Sequence, residues 1–485
     1  MSLMRYSVAF CTIALLSACA PVGPDYVRPD IAVAPSFTEV GPWAIAEPQD
    51  DVGRGDWWTV FADPVLNDFE NQAIQKNPDL LAVAKRVMQA QAIAGISSTY
   101  LSPEINFGLV NGRSGISSNT SSDTPNIPNN VSHGYMPSFT TNGIAAIPLY
   151  TNYEIDFWGR IRRQIEAAQA RLDSSVAAYQ TALLTLTAEV AQTYFELRTT
   201  DELLRILEEN IALRQTARDL VAARRRDGLA HDIDLAYVDT DLRTTQAQLA
   251  GTEKRRTQLL YKLAVLLGRQ PEGFTVTRQR FKLVAPVIPV GLPSDLLQRR
   301  PDIATAEREL VAYNAEIGIA TAAYFPTIQL TAALGFNTAD LSTLANGTSS
   351  VWAVGASLFQ QIFNAGRIGL NVDRTRAAYQ ERIAAYQATL LRAFQEVESS
   401  ISGLRFLSTQ AAYQQDAVIS ADRATFLALR RYRAGLASLM DVVIAQRTSL
   451  DAEREAVEIA RNRLLTSVAL IKALGGGWET RQADR

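Results

Sequence analysis

Three sets of residues in this 485-residue chain have types and spacing that could do chemistry. The first is the thiol of Cys19, which stands where an N-terminal apolar run ends. The second is a pair of carboxylates, Asp234 and Asp441, each a few residues past a glycine turn (Gly228 and Gly435) that is preceded by arginines: Arg224, Arg225 and Arg226, and Arg430, Arg431 and Arg433. A lone carboxylate in a first helical turn is favoured by the helix dipole; several brought together by symmetry would attract cations and raise one another's pKa. The third is His133 and His231, the only histidines, one in a Ser/Asn/Pro-rich loop and one at a helix turn, from which no metal site can be assembled. The chain has no glycine-rich phosphate loop, no cysteine cluster and no Ser/His/Asp set, so neither an enzyme nor a metal or organic cofactor is expected.

The N-terminus defines the chemistry of Cys19. A basic Arg5, an apolar run from Val8 to Leu16 and the tetrad Leu16-Ser17-Ala18-Cys19 read as a secretory signal peptide too short to span a bilayer. The tetrad resembles a bacterial lipobox, which implies cleavage after residue 18 and acylation of Cys19. Ala20 after the cysteine resembles lipoproteins sorted to the outer membrane. Cys11 would leave with the signal, so the mature chain has no disulfide. A covalent lipid anchors without spanning.

The elements that position these residues come in two copies. Residues 160–226 and 367–433 each read as uninterrupted helix of about 67 residues, roughly 100 Å long. The apolar stripe Ile161, Ile165, Ala168, Leu172, Val176, Tyr179, Leu183 recurs as Ile368, Val372, Thr375, Tyr379, Ile383, Tyr386, Leu390. Each long helix ends at a glycine suited to a left-handed terminus, and a second helix then runs to about residue 267 or 474. Pro78 and Pro301 open helices of about 22 residues. Period-two alternation marks strands at about 103–115 and 139–157 in one half, and 326–336 and 350–363 in the other. The aromatic residues Tyr100, Tyr153, Phe157, Trp158, Tyr324, Phe325, Phe359 and Phe363 gather at the strand and helix junctions, where an interfacial belt belongs. The same alternation would arise from a sheet with one face on a soluble core; the belt favours lipid.

The chain therefore divides into a signal peptide (1–18), a lipidated extended arm (19–55), a first repeat (56–268), a linker (269–300), a second repeat (301–475) and a polar tail (476–485). A net charge of -3 with no basic tract disfavours a nucleic-acid partner. Four strands cannot close a barrel, and open edges are not tolerated in lipid. The expected fold is thus an α+β membrane protein, a trimeric 12-stranded β-barrel with four strands per chain continued by a long α-helical barrel. The glycine turns lie farthest from the strands, so Gly228, Leu229, Gly435, Leu436 and Ser438 are expected at the far tip. Past them runs a small or polar stripe: Ser438, Asp441, Ala445, Thr448, Ala452 and Glu455, matched in the first half by His231, Asp234, Val238, Asp241, Thr245 and Gln248.

Specific stretches carry a family resemblance: Gly23-Pro24-Asp25-Tyr26, Trp57-Trp58 through Leu66, Gly291-Leu292-Pro293-Ser294-Asp295-Leu296-Leu297, Arg299-Arg300-Pro301-Asp302-Ile303 and Gly435-Leu436-Ala437-Ser438 with Asp441. The chain resembles the TolC-like outer-membrane factors, in particular the lipoprotein branch serving pumps of the resistance-nodulation-division type. The resemblance implies a homotrimer in the outer membrane of a Gram-negative bacterium, with a periplasmic helical tunnel, a periplasmic adaptor docking at the tip and an inner-membrane pump. It implies export of drugs or other small toxic compounds, and a gate to which Asp234 and Asp441 contribute. Ile444 stands where some relatives have a second acidic residue. A conduit for protein secretion, and in a different class a periplasmic coiled-coil scaffold lipoprotein, are the alternatives.

Overall fold

A computed structural model describes residues 21–30, 56–111, 145–281, 286, 300–338 and 341–476. A 3-10 turn, Trp57–Phe61, leads to α1 (Pro64–Lys76) and α2 (Pro78–Thr99), then β1 (Glu104–Phe107), β2 (Val110–Asn111) and β3 (Ala145–Ile155). Helices α3 (Arg160–Arg226) and α4 (Asp232–Leu266) follow, then α5 (Pro301–Ala322), β4 (Thr327–Thr338), β5 (Ser350–Phe359), α6 (Arg367–Arg433) and α7 (Leu439–Ala473). Both long helices have 67 residues and the helices after them 35 each. The proline-opened helices have 22 each. The chain forms two compact units: Met1–Pro29 with Val87–Ser175 and Ala306–Ala385, and Asp30–Arg86 with Val176–Thr305 and Tyr386–Arg485.

The first unit carries an antiparallel sheet in the order β1-β3-β4-β5, with β2 also on β3. Register places Leu149 opposite Leu334 and Leu334 opposite Trp352, with Ala332 opposite Val354 and Ile328 opposite Leu358. This apolar face is bare: Phe107 is 70% exposed, Trp352 78% and Val354 77%. The other face carries Asn106, Asn152, Gln329, Thr331 and Ser357. A sheet whose apolar face covers no core is built for lipid. Among the described residues no strand covers the outer edges of β1 and β5.

The first strand, expected to run unbroken over 103–115, is interrupted at Gly108 and Leu109. Pro148 of β3 is the cause: its carbonyl accepts from Gly108 N at 2.9 Å, but it has no N–H to return. Expected residues 112–115 and 139–144 lie outside the described residues. The last strand, expected to reach 363, ends at Phe359.

The second unit holds the main core. Trp57, Leu66 and Phe69 pack with Tyr194 and Phe195 of α3, Leu263 of α4 and Leu464 and Val468 of α7. Each fully buried aliphatic side chain contributes about 1.5–3 kcal/mol. Two clasps, before the two opening prolines, tie helix ends together. Asn77 donates from Nδ2 to the Leu266 carbonyl at the end of α4, at 2.9 Å, and caps α2 by accepting from Leu80 N at 2.9 Å. Arg300 donates to the Ala473 carbonyl at the end of α7, at 2.9 Å, and binds Asp302 and Glu396. Residue types differ, yet the side chain before each proline satisfies a terminal helix carbonyl.

Candidate functional site

The tip forms as the glycines dictate. Gly228 N donates to the Arg225 carbonyl at 3.0 Å and Leu229 N to that of Arg224 at 2.8 Å; Gly435 and Leu436 repeat this on Tyr432 and Arg431 at the same distances. These are Schellman motifs, which need positive φ; both glycines have φ 72°. Leu229 and Leu436 stand out from the turns, 76% and 69% exposed. Ser438 caps α7 in a capping box, accepting from Asp441 N at 3.2 Å while Asp441 Oδ2 accepts from Ser438 N at 2.9 Å and Oγ at 2.8 Å. Asp234 likewise accepts from His231 N at 3.0 Å. Hydrogen bonds from the Ser438 hydroxyl and N–H hold the Asp441 carboxyl below its ordinary range, opposite to the rise that symmetry-related charges would cause. The tip arginines pair locally: Arg224 lies 4.9 Å over the Tyr432 ring, Arg430 lies 4.5 Å over Phe426, and Arg225 pairs with Asp232.

The two polar stripes past the turns have different fates. In α4, Val238, Asp241 and Thr245 are buried, whereas in α7 Ser438, Asp441 and Thr448 are exposed. The middle of the first-half stripe is therefore spent on packing inside the chain. Val221 of α3, Val238 of α4, and Leu439 and Val443 of α7 form a small core beneath the turns. Above it sits a charge cluster that the repeat did not disclose. Asp241 accepts from Arg214 Nε of α3 at 2.6 Å and from Arg447 Nε of α7 at 2.5 Å, which ties the first hairpin to the second. Arg214 is 3% exposed and also donates to Asn210 Oδ1 at 2.9 Å.

At the sheet's base the belt aromatics divide. Trp158 stacks on Phe325 with centroids 4.6 Å apart, meets Phe157 edge-on at 4.8 Å and donates from Nε1 to the Pro326 carbonyl at 2.9 Å. Tyr153 lies opposite Leu330. Tyr100, Tyr324, Phe359 and Phe363 are exposed, at 49% to 85%. An indole or phenol with one polar and one apolar side suits a headgroup boundary. Cys19 lies outside the described residues.

An open-edged sheet with a bare apolar face, its strands leading into very long helical hairpins, defines a protomer of an outer-membrane channel. The profile of the outer membrane efflux protein family matches residues 70–269 and 292–476, and the chain belongs to that family. It is 34% identical over 430 residues to the pyoverdine export outer membrane protein OpmQ of Pseudomonas putida, spanning 88% of this chain and 89% of that one. It is 28% identical over 473 residues to the cation efflux system protein CusC of Escherichia coli, spanning 97% and 98%. Among solved structures it matches the open state of the Neisseria gonorrhoeae MtrE outer membrane channel with a TM-score of 0.78 at 26% identity, covering 94% of this chain and 98% of that one. The outer-membrane channel OprN gives a TM-score of 0.81 at 26% identity, covering 94% and 99%. The protein is an outer-membrane efflux channel whose helices belong to the periplasmic side.

Proposed function

We propose that this channel is the exit duct of a tripartite pump, a homotrimer in which three sheets join β1 to β5 and close a 12-stranded barrel. The observation that supports this is the sheet itself: two uncovered edges and an exposed apolar face are costly in lipid unless a copy of the same chain completes them. The acylated Cys19 anchors the mature chain, and a periplasmic adaptor meets the glycine turns, where Leu229 and Leu436 project. An inner-membrane pump of the resistance-nodulation-division type supplies the cargo. The relatives are named for pyoverdine, cations, solvents and antibiotics, and small toxic compounds are the cargo class we assign. We assign the gate to Asp234 and Asp441, which also serve the caps of α4 and α7, with the Asp241–Arg447 link holding the hairpins together. Drug susceptibility of a deletion strain tests the conduit. Restored resistance on complementation supports small-molecule export; a secretion defect with unchanged susceptibility overturns it.

A further inference from the structure

The same shift in numbering carries Arg160 of α3 onto Arg367 of α6 and Asp232 of α4 onto Leu439 of α7, so each residue of the first hairpin has a counterpart in the second. Within one chain the two hairpins meet along α4 and α7 through three polar links. Asp241 accepts from Arg447 Nε at 2.5 Å, Gln248 Oε1 accepts from Arg454 Nη1 at 3.4 Å, and Arg255 pairs with Glu458 at 3.7 Å. Asp241, Gln248 and Arg255 follow one another at every second helical turn and so share one face of α4. Apolar packing adds to the links. Val221 and Val238 of the first hairpin gather in a buried cluster with Leu439 and Val443 of the second, and farther from the turns Leu203 and Leu207 of α3 do so with Leu450 and Val457 of α7.

In a closed ring of chains that each hold two such halves, seams within chains alternate with seams between chains. The counterpart of the α4–α7 seam is then α7 of one chain against α4 of the next. None of the three links recurs there: Thr448 faces Thr240, Glu455 faces Ala247 and Asn462 faces Gly251. Thr240, Ala247, Gly251, Thr448 and Glu455 are exposed in the single chain, so both faces are free to receive a neighbour. The apolar clusters are lost as well. Ala428, Ala445, Asp232 and Ala236 take the places of Val221, Val238, Leu439 and Val443. Gln410, Gln414, Arg243 and Ala250 take those of Leu203, Leu207, Leu450 and Val457. A seam of alanine, glutamine and charge buries less apolar surface than one of valine and leucine, so the seam between chains is the weaker.

We propose that the α4 face carrying Thr240, Ala247 and Gly251 seats α7 of a second copy of this chain, and that the tip opens by parting this seam while the two hairpins of each chain move as one body. The proposal rests on the homotrimer proposed above. Separating α4 from α7 within a chain breaks an ion pair at the buried Asp241 carboxylate and uncovers two apolar clusters. Separating α7 from the next chain's α4 uncovers threonine, alanine and charges that water already reaches. Three equivalent seams parting together widen the tip and leave each chain intact.

The test uses the full chain in outer membranes, with paired cysteines joined by a short, reducible bifunctional thiol reagent. Thr240→Cys with Thr448→Cys spans the seam between chains, and Gln248→Cys with Arg454→Cys spans the seam within one. The first pair is expected to join chains covalently to one another, the second to give single chains whose mass gains the linker. Purified channels then carry potassium chloride current in planar bilayers. The between-chain link is expected to cut the frequency of full openings at least about tenfold, with recovery on reduction, and the within-chain link to leave it within about twofold. Thr240→Arg with Thr448→Asp gives the seam between chains the pair that the other seam has. It is expected to make openings at least about threefold rarer, the effect of three copies of an exposed ion pair, where neither substitution alone does so. A within-chain link that silences the channel, alone or as well as the other, places the parting inside the chain and overturns the shared motion. Two links that both leave openings unchanged show that the tip does not open at this seam. A trimer by native mass without the between-chain crosslink, or a crosslink to a different polypeptide, gives the α4 face to another occupant and overturns the docking. A single chain by native mass overturns the trimer itself, a failure distinct from that of the seam.

Discussion

Replacing Asp241 by alanine removes the acceptor shared by Arg214 and Arg447, and the cost is set by Arg214. That guanidinium is 3% exposed and would keep Asn210 Oδ1, at 2.9 Å, as its remaining hydrogen-bond partner among the described residues. An uncompensated buried charge of this kind costs about 3–5 kcal/mol. The Arg447 side chain is 51% exposed, so solvent screens its share of the cluster and Arg447→Ala costs about 0–1 kcal/mol. Hydrogen exchange read by mass over residues 214–245 and 439–450 separates the two cases, because local opening reports local stability. Asp241→Ala is expected to speed exchange there by about two to three and a half orders of magnitude, since each 1.4 kcal/mol is tenfold, and Arg447→Ala by no more than about fivefold. Replacing Arg214 and Asp241 together by leucine should recover much of the loss, because neither desolvated charge is left. An Asp241→Ala protein exchanging within about threefold of wild type, or an Arg447→Ala protein exchanging faster than Asp241→Ala, refutes the reasoning.

Three further outcomes follow from other parts of the chain. Tyr194 OH donates to Asp63 at 2.5 Å and accepts from Arg198 Nε at 3.0 Å in the core, so Tyr194→Phe should lower stability by about 1–3 kcal/mol, read as a lower Tm. Burial raises the Glu70 carboxyl well above its ordinary value of 4.5, so the folded chain keeps a proton that the unfolded chain releases, and stability falls as pH rises above that value. Glu70→Met should therefore raise Tm at pH 8 relative to wild type, with the gain shrinking toward pH 4; a gain independent of pH would place the effect in packing. For the mature N-terminus, intact mass should show acyl addition at Cys19, and an unmodified mature chain would remove the anchor from the account.

Elements whose signal is local were legible in the sequence. Pro78, Pro301, Gly228 and Gly435 punctuate helices whose bounds need only adjacent residues, and period two located the strands to within a few positions. Alternation alone does not tell which medium the apolar strand face meets, since it is the same for lipid and for a soluble core; the aromatic belt pointed to lipid, and the exposure of Trp352 and Val354 agrees. The clusters were illegible for a different reason. Arg214, Asp241 and Arg447 lie on three helices, and the repeat places Ala421, Thr448 and Thr240 at their equivalents, so no pair of matched charges marks the cluster. Asn77 and Arg300 do the same work with different side chains, which pattern matching does not equate. Nothing in the sequence singles out Arg163, because the carbonyls it binds are about 140 residues away and backbone acceptors leave no trace in residue type. Pro148 was visible, but its effect depends on which neighbour its missing N–H faces.

The central claim is that three chains close one barrel through the edges of β1 and β5. Native mass spectrometry of the full chain released from outer-membrane nanodiscs tests this most directly. The expected result is a complex of three chains, with cysteines placed at Glu104 and Ser357, on opposite edge strands, crosslinking between chains. A stable, membrane-inserted single chain, or a closed assembly in which those edges never crosslink, contradicts it.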